Sequence, residues 1–365
     1  GTGWFQNGNA SFGGTGEAVE LDDPVMVRNM TFTANGYTLA DTNANGRLIL
    51  SGMPSVVSVA NAGQTATIAE VIEGEGGLTK QGAGRLTLAG TNSPATGSTL
   101  VKAGLLYWGG NDALPSGPVT VEDGATVDLG VIGDTFVNSR AYTVAGTGTS
   151  GQGALIKTGA NSVMSNNGVN GLTLTSDTTI GGSSRFDLGG FIDFNGFVLT
   201  KTGNNSVPFR SGNLQDSSGG VVINQGHIYL ENASFTIDGP VVVNAGGTLG
   251  TYVVVGDART FTMPITLNDG GRLWTAGQNP AGTSTFNGTI ACSGTAYLYT
   301  GYNGSAGANP GDMIVNSAIS GSGTLILNDT ATGVSGAAAR AITFNATNTY
   351  AGDRKSTRLN SSHES

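Results

Sequence analysis

The sequence predicts an all-β chain wound as a right-handed parallel β-helix, a solenoid. Three observations carry that expectation: short alternating apolar runs are separated by glycine at fixed spacings, glycine supplies 61 of 365 residues, and only 11% of residues are charged. Abundant Gly, Thr, Asn and Ser disfavour long helices and favour strands and turns. A hydrophobic share of 38% still suffices for a core. A solenoid fills that core lengthwise instead of dividing into compact domains.

In chain order, the unit is a strand, a glycine-centred turn and a second strand. Val101, Gly104, Leu106 and Trp108 set a spacing that Ile223, Gly226, Ile228 and Leu230 repeat. One more residue after the glycine gives the variant at Val121, Gly124, Val127 and Leu129, at Val243, Gly246 and Leu249, and at Leu267, Gly270 and Leu273. Alternate strand residues share a side, so these apolar positions are expected inward. Each glycine is expected to supply a positive φ or a close corner. Neither strand buries its apolar side alone; stacked coils do so by pairing each strand with those above and below. At about 20 residues per coil, the native part would make roughly 17 coils. An all-β sandwich array also gives short strands at regular spacing, and the residue pattern by itself leaves both open.

The stretch Gly77 to Gly109 reads G-L-T-K-Q-G-A-G-R-L-T-L-A-G-T-N-S-P-A-T-G-S-T-L-V-K-A-G-L-L-Y-W-G. It resembles the autotransporter-associated β-strand repeat of bacterial secreted passenger domains, with the core G-L-x-K-x-G-x-G-x-L-x-L-x-G complete. Partial matches lie at Gly153 to Gly159, Phe197 to Gly203 and Gly321 to Leu327, and Val25 to Leu39 resembles the strand that precedes the first full repeat. The resemblance favours the β-helix. It implies an extracellular or cell-surface protein of the outer membrane, repeats that support secretion and rod formation, and an outer-membrane barrel in a C-terminal part beyond this chain. A stalk or adhesin role follows, with surface glycans or proteins of host or neighbouring cells as partners. Leu78, Lys80, Gly82, Leu86 and Leu88 carry over as structural positions.

Residues 1–352 are therefore assigned to β-helical passenger repeats. Asp353 to His363, D-R-K-S-T-R-L-N-S-S-H, back-translates with permitted codons into a run resembling a sequencing-library adapter, so residues 353–365 are set aside as non-native. Asn348 to Gly352 looks like the N-T-Y-T-G turn inside the repeat, and the chain starts Gly-Thr-Gly-Trp without Met or leader. A fragment cut at both ends, whose uncapped coils self-associate, is expected.

A net charge of −9 without basic clusters argues against a nucleic-acid partner. Cys292 alone supports neither a disulfide framework nor a cysteine-based zinc site. Gly146, Gly148 and Gly151 spell G-x-G-x-x-G, but no helix is expected to follow, as a dinucleotide fingerprint requires. No cofactor or metal is expected. His227, the one native histidine, is expected on the outward side of a turn, and a Ser-His-Asp triad would depend wholly on it. The rival to a non-catalytic role is a β-helical polysaccharide lyase or hydrolase. Its candidate carboxylates are Glu17, Glu20, Asp22 and Asp23, then Glu70, Glu73 and Glu75, and finally Asp187 with Asp193; solvated edges are the plainer reading.

Aromatic residues give the one candidate site. With Leu106, Trp108, Ile228, Leu230, Leu273 and Leu298 inward, alternation sends Tyr107, Tyr229, Trp274, Tyr297 and Tyr299 outward. Exposed rings on a rigid scaffold can stack on sugars or on protein. The alternative is an aromatic ladder that covers neighbouring coils.

Overall fold

A computed structural model of the chain describes residues 6–42, 45–51, 54–91, 93–133, 138, 140–162, 168–210, 214–231, 236–253, 256–278, 282–300, 308–327 and 340–356. The chain is an all-β parallel solenoid of about 12 turns. Among the described residues the one helical feature is a 3-10 turn at Thr149–Gly151, and no helix is long and apolar enough to cross a membrane. Two compact units divide it, residues 1–190 and 191–365.

In the first unit, two long columns of parallel strands line the core, with a third, shorter one through Pro24–Phe32, Arg47–Leu50 and Ile72–Glu73. One stacks Ser55–Val59, Leu78–Gln81, Thr99–Val101, Val119–Val121 and Tyr142–Gly146. The other stacks Thr65–Ile68, Arg85–Leu88, Gly104–Trp108, Ala125–Asp128 and Leu155–Lys157. Register puts Ala66, Leu86, Leu106, Val127 and Leu155 in line, all essentially inaccessible to solvent. Burying each Leu or Val side chain of that row contributes roughly 1.5–3 kcal/mol. The expected inward set is borne out.

The second unit has three parallel columns. Leu199–Lys201, Val221–Ile223, Val241–Val243, Ile265–Leu267, Ile290–Cys292 and Ile319–Gly321 form one column. Ser206–Phe209, Gly226–Glu231, Gly247–Val253, Arg272–Gln278, Thr295–Thr300 and Thr324–Leu327 form the second. Ala258–Phe261, Thr283–Phe286, Asp312–Val315 and Ile342–Phe344 form the third. Asn224, Asn244 and Asn268 bond through their amides in sequence along one corner, and Asn287, Asn316 and Asn345 along another.

Corner glycines behave as expected: Gly104 and Gly226 adopt φ of 68° and 72°. A β-carbon on either would come within 2.5 Å of a carbonyl oxygen of the preceding coil. Coil length differs from expectation. Leu86 pairs with Leu106 after 20 residues, but Tyr142 pairs with Leu172 after 30 and Ile290 with Ile319 after 29. Coils longer than 20 residues mean that fewer turns use the chain. Of the segment set aside as non-native, Asp353–Ser356 runs parallel to Thr324–Leu327, and 357–365 lie outside the described residues.

The repeat lysine has a distinct role. Lys80 lies in an inward column between Val57 and Val101, fully buried. Its stem packs with apolar neighbours while Nζ donates to the carbonyls of Gln81, Gly82 and Ala103 at 2.8, 2.7 and 2.9 Å. Lys201, equally buried, donates to Thr202, Gly203 and Gln225. Lys157 donates to Gly130 and Ile132 of the preceding coil. Each ammonium thus ties a corner to an adjacent coil. Burial pulls Lys80 and Lys201 down to about 7 and Lys157 to about 8, the latter opposed by Asp128.

Candidate functional site

The second strand column of the second unit gathers aromatic residues on its outer side. Parallel register aligns Tyr229, Gly250, Trp274 and Tyr299 in one row, and His227, Thr248, Arg272 and Tyr297 in the next. Gly250 makes the row possible. A β-carbon there would meet Trp274 Nε1 at 1.8 Å and Tyr229 Cδ1 at 2.5 Å, so the indole lies over the glycine. Ring centroids stand 5.0 Å apart for Tyr229 and Trp274 and 6.1 Å apart for Trp274 and Tyr299, both tilted. Such pairs contribute about 0.5–1.5 kcal/mol each beyond area.

Four of the five expected rings therefore come together, but their exposure corrects the expectation drawn from alternation. Tyr229, Trp274 and Tyr299 retain 6%, 1% and 3% of their surface, forming a second apolar cluster with Ala276 against which Tyr252 and Tyr297 pack half-buried. Alternation fixes the side on which a residue emerges. It does not register that rings in adjacent coils cover one another, and here the ladder covers its own members. Tyr107 sits in the first unit, half-buried, with the Arg85 guanidinium 3.9 Å from its ring centroid.

Sequence reasoning missed three members of this surface. His227 is half-buried, stacked on Tyr229 at 5.5 Å, and held neutral. Desolvation, then the charges of Lys201 and Arg272, push it down to about 4. Arg272 stands over the Tyr297 ring at 5.6 Å. Tyr252 is the third. Arg272 shares strand parity with Trp274, a signal that was present in the sequence. Burial raises the Tyr299 phenol, with Arg272 and a hydrogen bond to Thr248 opposing.

Four of the carboxylate candidates, Asp187, Asp193, Glu20 and Glu73, have structural partners, while among the described residues the buried Glu70 Oε1 has no hydrogen-bond partner. Asp187, fully buried, accepts both Arg185 Nε and Nη2, at 2.7 and 3.0 Å. Asp193 accepts the Asn195 amide at 2.9 Å. Glu20 accepts the Thr42 amide and hydroxyl, and Glu73 pairs with Arg47. Glu70 is buried, and desolvation, followed by Asp41 and Glu20, raises its carboxyl while Arg47 opposes. Among the described residues no group of three or more His, Cys, Asp or Glu could hold a metal ion. Cys292 is buried and its thiol pushed up to about 11 by desolvation.

Glycine corners, parallel coils and buried lysines define a repeat solenoid, and comparison with known proteins supports autotransporter passenger repeats within it. Residues 78–106 match the family described as passenger-associated-transport-repeat. The chain is 37% identical over 105 residues to the adhesin BmaC autotransporter of Brucella suis biovar 1 (strain 1330), which covers 29% of this chain and 3% of that protein. This chain thus spans a small part of that relative's length. No solved structure matches the chain. The matched segment is the one that holds Lys80 and the Gly82 and Gly104 corners. These likenesses support a passenger or adhesin-type role.

Proposed function

We propose that this chain is a stalk segment of a surface-displayed autotransporter passenger, with an outer-membrane barrel elsewhere in the full protein and adhesion as its task. The observation that supports this reading most is the coincidence of the family match at 78–106 with a coil whose lysine and glycines serve coil stacking. The half-buried rings Tyr252 and Tyr297, with Arg272, form the rim at which the aromatic face meets a partner; Tyr229, Trp274 and Tyr299 brace it from beneath. Tyr107 offers a separate half-buried ring in the first unit. The partner class is a surface glycan or a protein on another cell.

The test fuses the chain to an outer-membrane barrel and follows it in a Gram-negative host. The expected result is a protease-resistant, antibody-accessible passenger that increases attachment of the cells to a glycan- or protein-coated surface. Retention of the chain in the periplasm, or display without attachment on any such surface, would overturn the proposal.

A further inference from the structure

The chain carries 25 acidic residues against 16 Lys and Arg, so most of its arginines find carboxylates. Arg47, Arg140, Arg185, Arg210, Arg259 and Arg340 each stand in an ion pair. Arg272 departs from that pattern. Among the described residues no carboxylate lies within ion-pair distance of it, its guanidinium stands on the Tyr297 ring, and its buried Nε has no acceptor. An unanswered guanidinium on an aromatic face is a planar anion site beside a stacking platform.

One more cationic group, Lys201, and the neutral imidazole of His227 reinforce it. Lys201 and Arg272 both act on His227, enough to oppose its protonation. The imidazole Nδ1 is buried without a hydrogen-bond partner, a second polar atom that the fold leaves unanswered. The positive potential there favours an anion. Rigidity comes from below, where Tyr229, Trp274 and Tyr299 pack under the rim and Tyr299 also senses Arg272. Arg272 and Tyr297 are direct register partners on adjacent strands, about 4.8 Å apart. That separation sets a ring face next to a charge-binding fork, and a sugar with a ring carboxylate presents the matching pair, an apolar C–H face and an in-plane anion. A peptide carboxylate on a flexible stem presents the anion without the face.

We propose that the rim formed by Arg272, Tyr297 and His227 takes a carboxylate-bearing residue of an acidic saccharide, with Arg272 holding the carboxylate and Tyr297 stacking on the sugar. This assignment rests on the surface-adhesion reading and names its ligand class.

The test is calorimetric titration of the purified chain with galacturonate oligomers, neutral cello-oligosaccharides and a polyglutamate peptide. Galacturonate binds and the other two do not. Arg272→Gln weakens galacturonate binding about tenfold or more, the loss of a charge-assisted contact. Arg272→Lys, which keeps charge but not the planar fork, restores it only in part. Tyr297→Leu weakens binding with circular dichroism unchanged, which separates lost contact from lost fold. Equal binding of the neutral sugar, equal binding of polyglutamate, no binding of galacturonate, or an unaffected Arg272→Gln variant each overturns the assignment. A chain that is displayed and adhesive yet blind to galacturonate leaves the passenger reading standing and sinks this one alone.

Discussion

Replacing Lys80 with Met keeps the buried stem and removes the group that donates to Gln81, Gly82 and Ala103. Its consequence is written in the pH dependence of stability. Lys80 titrates near 10.5 in the unfolded chain and near 7 in the folded one. Between those values the unfolded state binds the extra proton, so stability rises with pH through that window and is flat below it, where both states are protonated. The slope for one such lysine approaches about 1.4 kcal/mol per pH unit. Lys201 behaves alike, and Lys157 joins from about 8. The three together would add several kcal/mol between pH 7 and 9, an upper figure because the carbonyl acceptors favour the ammonium and return part of it. Above pH 9 the climb weakens as the unfolded thiol of Cys292, raised to about 11 in the fold, and then the Tyr142 phenol, raised to about 12, ionise, and it reverses only past 10.5, where the unfolded lysines lose their protons. Urea unfolding at intervals from pH 6 to 9 reads the effect. The wild-type midpoint climbs above pH 7, and Lys80→Met with Lys201→Met flattens most of the climb. An undiminished slope in the double variant, or a midpoint falling from pH 7 to 9, would refute the reasoning.

Two further expectations concern single positions. Gly250→Ala drives a methyl into the Trp274 indole and the Tyr229 ring, costing about 1–3 kcal/mol as overpacking does and collapsing the near-ultraviolet dichroism of the ladder; an unchanged spectrum contradicts the packing described. Cys292, buried with a raised thiol, is expected to react with a disulfide reagent only at the rate of local unfolding, and prompt labelling of the native chain contradicts its placement.

The parts of this fold visible in the sequence are those set by local geometry. A glycine three residues after Val101, Val121, Ile223, Val243 and Leu267 marks a positive-φ corner in every case. Leu106, Val127, Ile228, Leu249 and Leu273 follow inward by parity. Parity also placed Lys80 on the side of Leu78, but only the structure shows that the corner carbonyls receive its ammonium. Coil length is not local: nothing near Val144 announces that its coil runs 30 residues to Leu174. The same holds for the aromatic face. Burial of Trp274 depends on Gly250, 24 residues earlier, and on Tyr299, 25 later, which become neighbours only once coils of those lengths are in register. The asparagine ladder follows one rule, an Asn directly after Ile223, Val243 and Leu267, and was legible once those three strands were aligned.

The central structural claim is that strands distant in sequence stack in parallel, one coil at a time. Val222, Val242, Thr266, Ala291 and Ser320 form one outward row across coils of 20, 24, 25 and 29 residues. Spin labels at Val222 paired in turn with Thr266, Ala291 and Ser320, in a Cys292→Ser background, measure the spacing directly. Backbone separations of roughly 10, 14 and 19 Å, equal steps of about 4.8 Å despite unequal coil lengths, are the predicted result. Distances that grow with the number of intervening residues, as in an array of separate β-sandwiches, would contradict the solenoid and everything built on it.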